Sequence, residues 1–262
     1  MIEYIKLIRP PLFLLGFIAS WGLLVKSGLW RTPESLLILL AVGFGNGAFV
    51  VFNEICDIRQ DKINKPWKPL PSGKIPVSHA KLIAFTFYII SLISLIMLLI
   101  YYDIRYVIGF IGYLTGAIYN VLGRRDVVGN ACLGSTYAVA GFMSTGLTDL
   151  AFPLAFGLLT VAHNIMVQVQ DLEADRKAGV LTLPQQVYSP YLELIVAVLS
   201  AVSFLMFLQI KQPVFAVAVI LISMSVFVKQ HIEALVRRGV RLLILIGFVL
   251  MGVGLWSQGN VV

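Results

Sequence analysis

Only thirteen Asp and Glu residues occur in 262 positions, and six of them stand in two short clusters: Glu54, Asp57 and Asp61, then Asp171, Glu173 and Asp175. Each cluster follows directly on a long apolar run. With helical positions advancing by about 100° per residue, and Asn46 as origin, Asn53 falls near −20°, Asp57 near +20° and Asp61 near +60°. On the second run, with Asn164 as origin, Gln168 falls at about +40°, Asp171 at about −20° and Asp175 at about +20°. Each helix should therefore carry one narrow polar stripe ending in paired carboxylates, with Glu54 and Glu173 off the stripe, where they cap or are solvated. Polar groups in an apolar helix normally face the bundle interior, so two such stripes facing each other would make a polar cavity.

Four gathered aspartates need a counter-ion. A carboxylate-only donor set, Asp57, Asp61, Asp171 and Asp175, suits a hard cation, above all Mg²⁺, which binds through one or two carboxylates plus phosphate oxygens. His79, His163 and His231 are scattered and have no ligand spacing with a cysteine, which excludes a zinc reading. Basic residues surround the acids. Lys62, Lys65, Lys68 and Lys74 lie on a loop stiffened by Pro66, Pro69 and Pro71; Arg9, Arg124, Arg125, Arg176 and Lys177 lie at other helix ends. A divalent ion ringed by Lys and Arg is a site for a polyphosphate, most simply a diphosphate. With an apolar bundle beneath it, the expected ligand is a polyprenyl diphosphate, its head bound by Arg9, Lys62, Lys65, Lys68, Arg124, Arg125 and Lys177.

The elements that must hold these residues are membrane helices. The chain is 59% hydrophobic and 13% charged, with mean hydropathy +0.90. Soluble domains carry about 25% charge. Apolar runs at about 10–26, 36–57, 80–101, 106–122, 130–147, 151–169, 191–209, 213–229 and 241–258 predict an all-α polytopic protein of nine transmembrane helices around a central cavity. Numbered this way, sixteen basic residues fall on the N-terminal side and four on the other. The excess places the N-terminus and the acidic clusters at the cytoplasmic face of the cell membrane. No small-residue cleavage site follows the first run, so an uncleaved first span is expected. Cys56 and Cys132 should be reduced thiols. The net charge of +7 is accounted for by this topology and by anionic lipids, without nucleic acid. The 114-residue offset between the two Asp pairs suggests four-helix pseudo-repeats, 1–122 and 130–229, with helix 9 appended, inside one domain of 1–262.

The chain resembles the UbiA-type intramembrane prenyltransferases. Asn53, Asp57 and Asp61 match that family's N-x-x-x-D-x-x-x-D motif; Asp171 and Asp175 match its D-x-x-x-D. The flanks LIRP (7–10), DKINKPWKPLPSG (61–73), IYN followed by basic residues (118–125) and DRKAGVLTLP (175–184) agree as well. The resemblance implies Mg²⁺ dependence and transfer of a prenyl group, geranylgeranyl, from its diphosphate to an acceptor, with the five motif residues as catalytic metal ligands. The D-K-I-N-K-P loop is most similar to the archaeal branch that makes digeranylgeranylglyceryl phosphate, whose acceptor is the hydroxyl of geranylgeranylglyceryl phosphate. Asn164, Gln168 and Gln170 depart from that branch, since acids often stand there. An aromatic acceptor is the alternative.

Several polar residues stay open between two roles. Asn46 either lines the cavity or makes an interhelical hydrogen bond among Gly43, Gly45 and Gly47. Tyr119 and Asn120 either face the substrate or anchor at the interface, and Asn164 and Gln168 are further candidates for the cavity wall. A cation transporter would also use intramembrane carboxylates, but at mid-membrane; here they sit at helix ends beside a lysine-rich loop. A CDP-alcohol phosphotransferase would need D-x-x-D-G-x-x-A-R, which is absent. The membrane's lipids are the remaining partners, with no obligate protein partner evident.

Overall fold

A computed structural model describes residues 2–121, 126–187 and 189–209, with Ile246 and Val249 beyond them. Its elements there are helices: α1 (Ile2–Ile8), α2 (Pro10–Lys26), α3 (Pro33–Cys56), α4 (Ile58–Asn64), α5 (Val77–Tyr101), α6 (Ile108–Val121), α7 (Val127–Ser144), α8 (Ala151–Gln170), α9 (Leu172–Ala178), α10 (Leu183–Gln186) and α11 (Ser189–Gln209). A 3-10 turn, Ile104–Val107, precedes α6. Proline opens α2 and α3 at the first helical position, where its missing N–H costs nothing and its fixed φ suits the helix. Asp126 caps α7 by accepting from the Gly129 backbone N–H at 3.0 Å.

Among the described residues four helices are long and apolar enough to cross a membrane: α3, α5, α8 and α11. The bent pair α1–α2, angled by 48°, would make five. Seven of the nine anticipated runs coincide with a helix, while 213–229 and, apart from Ile246 and Val249, 241–258 lie outside the described residues. The fourth run differs from expectation. It is divided into the 3-10 turn and a 14-residue helix, only about 21 Å long at 1.5 Å per residue. Asp103 nucleates that turn by accepting from the Arg105 backbone N–H.

α3 packs against α2 and α5, α6 against α7, and α8 against α7 and α11. Three apolar clusters hold the bundle. One joins α2, α8 and α11 around Phe152, Leu159 and Phe207. The second joins α3, α5 and α7 around Ile38, Leu95 and Met143. The third lies at the basic end, where Leu70 and Ile75 from the proline loop bury against Leu7, Val51 and Ala84. These two anchors pin the loop 65–76, so its lysines are held against the bundle. The outer faces stay apolar and exposed, as at Leu82, Phe85 and Ile93 of α5 and Leu114 of α6, which suits a lipid environment.

Candidate active site

The two polar stripes end at the same kind of break. α3 stops at Cys56, and Asp57 (φ −83°, ψ 1°) joins it to α4. α8 stops at Gln170, and Asp171 (φ −90°, ψ 6°) joins it to α9. The i to i−4 ladder survives both joints: Asp57 and Asp61 N–H donate to Asn53 and Asp57 carbonyls, and Asp171 and Asp175 N–H donate to Val167 and Asp171 carbonyls. The i, i+4 spacing of each acid pair is thereby kept although the long helix ends. α9 closes on Gly179 in the left-handed region (φ 71°), with Val180 N–H bonded to the Asp175 carbonyl, an end that glycine adopts without a Cβ penalty.

α4 and α9 pack against each other, which brings the two stripe ends together. The Gln60 side-chain amide donates to Asp175 Oδ1, and Lys65 Nζ lies 3.2 Å from Asp171 Oδ2. Lys68, from the pinned loop, lies 2.5 Å from Asp61 Oδ2 and 3.2 Å from Glu54 Oε1. Arg9 completes the chain of charges on Glu54. Asn53 donates to Asp57 Oδ2 at 2.7 Å. Asp61, Glu54 and Asp175 are buried, so their polar partners offset the loss of bulk water around them.

One sequence expectation is corrected here. Glu54 is not a solvated cap: it is 4% exposed and bridges Arg9 to Lys68, because the bend at Arg9, held at φ 51°, brings α1 and α2 across α3. Of the five candidates for the cavity wall, Asn46 lines the cavity of about 530 Å³ between α3, α5, α6 and α7. It also makes the interhelical bond, donating to the Leu12 carbonyl at 2.6 Å. Tyr119, Asn120, Asn164 and Gln168 make hydrogen bonds across the helix packing. Tyr119 donates to Asn164 at 3.4 Å, and Asn164 and Gln168 both donate to Asn130 Oδ1 at 2.8 and 3.1 Å. Asn120 donates weakly to the Phe49 carbonyl at 3.5 Å.

Of the expected diphosphate ligands, Arg9, Lys65 and Lys68 are at the acids. Lys62 and Lys177 are exposed on α4 and α9 without an ion pair among the described residues, and Arg124 and Arg125 lie outside those residues. Sequence reasoning missed Gln60 and Asn130. Gln60 was detectable, since its helical phase is about −40° from Asn46, on the stripe itself. Asn130 stands alone in an apolar run, which is itself a signal of an interior role.

The donor chemistry fits a hard divalent ion. Asn53 and the four aspartates offer oxygen. Among the described residues no three acidic, His or Cys side chains converge into a ready-made metal cage. Mg²⁺ does not need one, because substrate phosphates supply part of its shell. The lysines and Arg9 on these carboxylates supply the charge that an anionic ligand would meet.

Residues 15–239 match the profile of the UbiA prenyltransferase family. Three archaeal proteins named digeranylgeranylglyceryl phosphate synthase are similar in sequence. The Methanococcus aeolicus protein is 32% identical over 57% of this chain and 53% of its own length, and the Pyrococcus horikoshii protein 31% over 69% and 67%. The Methanobrevibacter smithii protein is 30% identical over 76% and 73%. The alignment thus spans about half of the M. aeolicus relative. In fold, the chain is similar to a UbiA homolog from Archaeoglobus fulgidus bound to GPP and Mg²⁺. The TM-score is 0.71 at 18% identity, covering 96% of this chain and 99% of that one. A structure of digeranylgeranylglyceryl phosphate synthase aligns with TM-score 0.67 at 22% identity, over 96% and 98%.

Proposed function

The chain belongs to the UbiA prenyltransferase family, and on that premise we propose that it moves a polyprenyl group, geranylgeranyl, from its diphosphate to the free hydroxyl of geranylgeranylglyceryl phosphate. This is the second prenylation of ether-lipid synthesis. The observation that carries it is the meeting of two acid pairs at the α4–α9 seam with lysines already on the carboxylates. The names of the archaeal relatives support the acceptor.

In this reading Asn53, Asp57, Asp61, Asp171 and Asp175 are the catalytic set that holds Mg²⁺. When bound, the ion neutralises charge on the diphosphate and strengthens it as a leaving group. Lys65, Lys68 and Arg9 take the remaining phosphate charge as the allylic C–O bond breaks; Lys62, Lys177, Arg124 and Arg125 serve as outer cations. The allylic carbon becomes cation-like and is captured by the acceptor oxygen, whose proton leaves to a basic oxygen of the site. Phe49, Tyr113 and Tyr137 line the cavity, and their ring faces favour a passing cation while the apolar wall excludes water.

The same proposal includes nine spans with a cytoplasmic N-terminus, the site at the cytoplasmic face, and two four-helix repeats. The near-identical breaks at Asp57 and Asp171 support the last of these. An aromatic acceptor is the second reading, favoured by the ring-lined cavity and the uncharged Asn164–Asn130–Gln168 chain.

The test is incubation of purified protein and Mg²⁺ with labelled geranylgeranyl diphosphate and an acceptor panel, the glyceryl phosphate ether first, with products identified by mass. A digeranylgeranylglyceryl phosphate product is expected. Product only with aromatic acceptors replaces the first reading by the second, and no product with any acceptor overturns both.

A further inference from the structure

The joint between α1 and α2 is made by a residue in a conformation that its own chemistry and its neighbour both oppose. Arg9 sits at φ 51° and ψ 70°, in the left-handed region that a residue with a Cβ rarely enters. It also precedes Pro10, and a residue before proline is steered toward extended backbone. An extended Arg9 would swing α1 away from its present seat, so the observed joint needs contacts that hold it.

Three contacts do so. Leu7 is 1% exposed, in the cluster that includes Val51, Ile75 and Ala80. The Arg9 guanidinium pairs with Glu54. Near the start of α1, Tyr4 OH lies 2.6 Å from His79 Nδ1, and the two rings stack with centroids 6.1 Å apart and planes 25° apart. His79 is the third residue of α5, and its frame is firm, since Ile75 and Ala80 are buried in the same cluster. The result is a polar clasp between a seven-residue helix and a long one, across 75 positions of sequence. A helix of that length has little stability of its own, so α1 depends on its seat.

Arg9 does more than close the joint. Its side chain is 37% exposed while that of Glu54 is 4%, so the guanidinium covers a buried carboxylate and still faces outward. Glu54 also holds Lys68, which reaches Asp61. The Tyr4–His79 clasp thus heads a line of contacts that passes through α1, Arg9, Glu54 and Lys68 and ends on the acids.

We propose that α1 is a strap and that Tyr4 and His79 are positioning residues, whose clasp holds Arg9 where its guanidinium meets the diphosphate of the prenyl donor. This assignment rests on the diphosphate reading of the preceding subsection. With the clasp closed, the strained joint is kept and the guanidinium is preorganised. With the clasp open, Arg9 relaxes toward extended backbone for part of the time. The apparent affinity for the donor then falls with the fraction of molecules that keep the competent arrangement.

Three variants test the clasp in the full chain in detergent. Tyr4→Phe keeps the ring and removes the hydroxyl, His79→Ala removes its partner, and His79→Asn keeps an acceptor near the Nδ1 position. Tyr4→Phe and His79→Ala should each raise the KM for geranylgeranyl diphosphate about threefold to tenfold, the effect of one hydrogen bond. The kcat and the acceptor KM should be unchanged, and His79→Asn should recover part of the loss. In an Arg9→Ala background Tyr4→Phe should add nothing, because it acts only through Arg9. An unchanged donor KM in Tyr4→Phe overturns the proposal. So does an effect of equal size with and without Arg9, which would make the clasp a general support for the fold.

A second measurement needs no turnover. Calorimetric titration with inorganic diphosphate and Mg²⁺ should show the same rise in Kd for Tyr4→Phe, and hydrogen exchange of amides 2–9 should quicken in that variant. Quickened exchange with unchanged binding overturns the positioning role alone. A wild type that binds no magnesium diphosphate overturns the diphosphate reading, and the positioning role with it.

Discussion

Lys65, at the end of α4, places its Nζ 3.2 Å from Asp171 Oδ2 at the start of α9, across 106 positions of sequence. The contact ties the two acid-bearing breaks into one site, and it is only partly buried on both sides. Such a pair contributes little stability, about 1 kcal/mol at most, so its value lies in placing a cation at the acids. Lys65→Ala should leave the melting temperature within a few degrees of wild type and raise the KM for prenyl diphosphate by about tenfold, read by steady-state kinetics. An unchanged KM would make Lys65 a structural tether only.

Asp57→Ala and Asp171→Ala, each at the joint between a long and a short helix, should each cut prenyl transfer by more than about a hundredfold, as expected for loss of a charge-stabilising metal ligand. The helical circular dichroism should be retained. Chelation of Mg²⁺ should abolish turnover reversibly, and wild-type rates in either variant would remove those aspartates as ligands.

Lys68 neutralises two buried carboxylates, Glu54 and Asp61. Lys68→Ala leaves Asp61 without its ammonium, and breaking a buried pair on one side costs about 3 kcal/mol or more. A clear fall in thermal midpoint is expected, and Asp61→Asn added to Lys68→Ala should recover part of it. Equal midpoints for wild type and Lys68→Ala would show that water screens the cluster.

Gln60 is the amide that meets Asp175, on the seam between α4 and α9. Gln60→Leu should lower kcat about tenfold with little change in melting temperature, while Gln60→Asn, shorter by one methylene, should be intermediate. An active Gln60→Leu variant would make the amide dispensable.

At the opposite end, Lys26 lies 2.9 Å from Asp149 in the connection between α7 and α8. Burial pushes the Asp149 carboxyl up, but the Lys26 ammonium and the backbone N–H groups of Phe152 and Ala151 outweigh it and hold the carboxyl below its ordinary value. A lowered folded value means that the pair stabilises fully above the unfolded value of about 3.9 and loses that contribution as pH falls through the folded one. The gap in melting temperature between wild type and Asp149→Asn should therefore narrow as pH drops below about 4. A gap that is constant down to pH ~3 would contradict the shift.

Much of this protein could be read along the chain. Apolar length located seven helices in the described residues, since burying a backbone in hydrocarbon leaves few other options. Helical phase put Asn53, Asp57 and Asp61 on one stripe and Asp171 and Asp175 on another, because those relations are local and repeat every 3.6 residues. Charge type pointed to a hard cation and an anionic ligand.

What the chain alone did not determine are relations between distant segments. The phase that placed Glu54 off the stripe was right, but only the bend at Arg9 and the return of the proline loop make it a buried bridge between Arg9 and Lys68. The same holds for Asn164 and Gln168, whose shared partner Asn130 lies on a different helix, and for Tyr119, which donates to Asn164. Periodicity reports which face a residue occupies. Which neighbour that face meets depends on the crossing of whole helices and on packing against side chains far away in sequence.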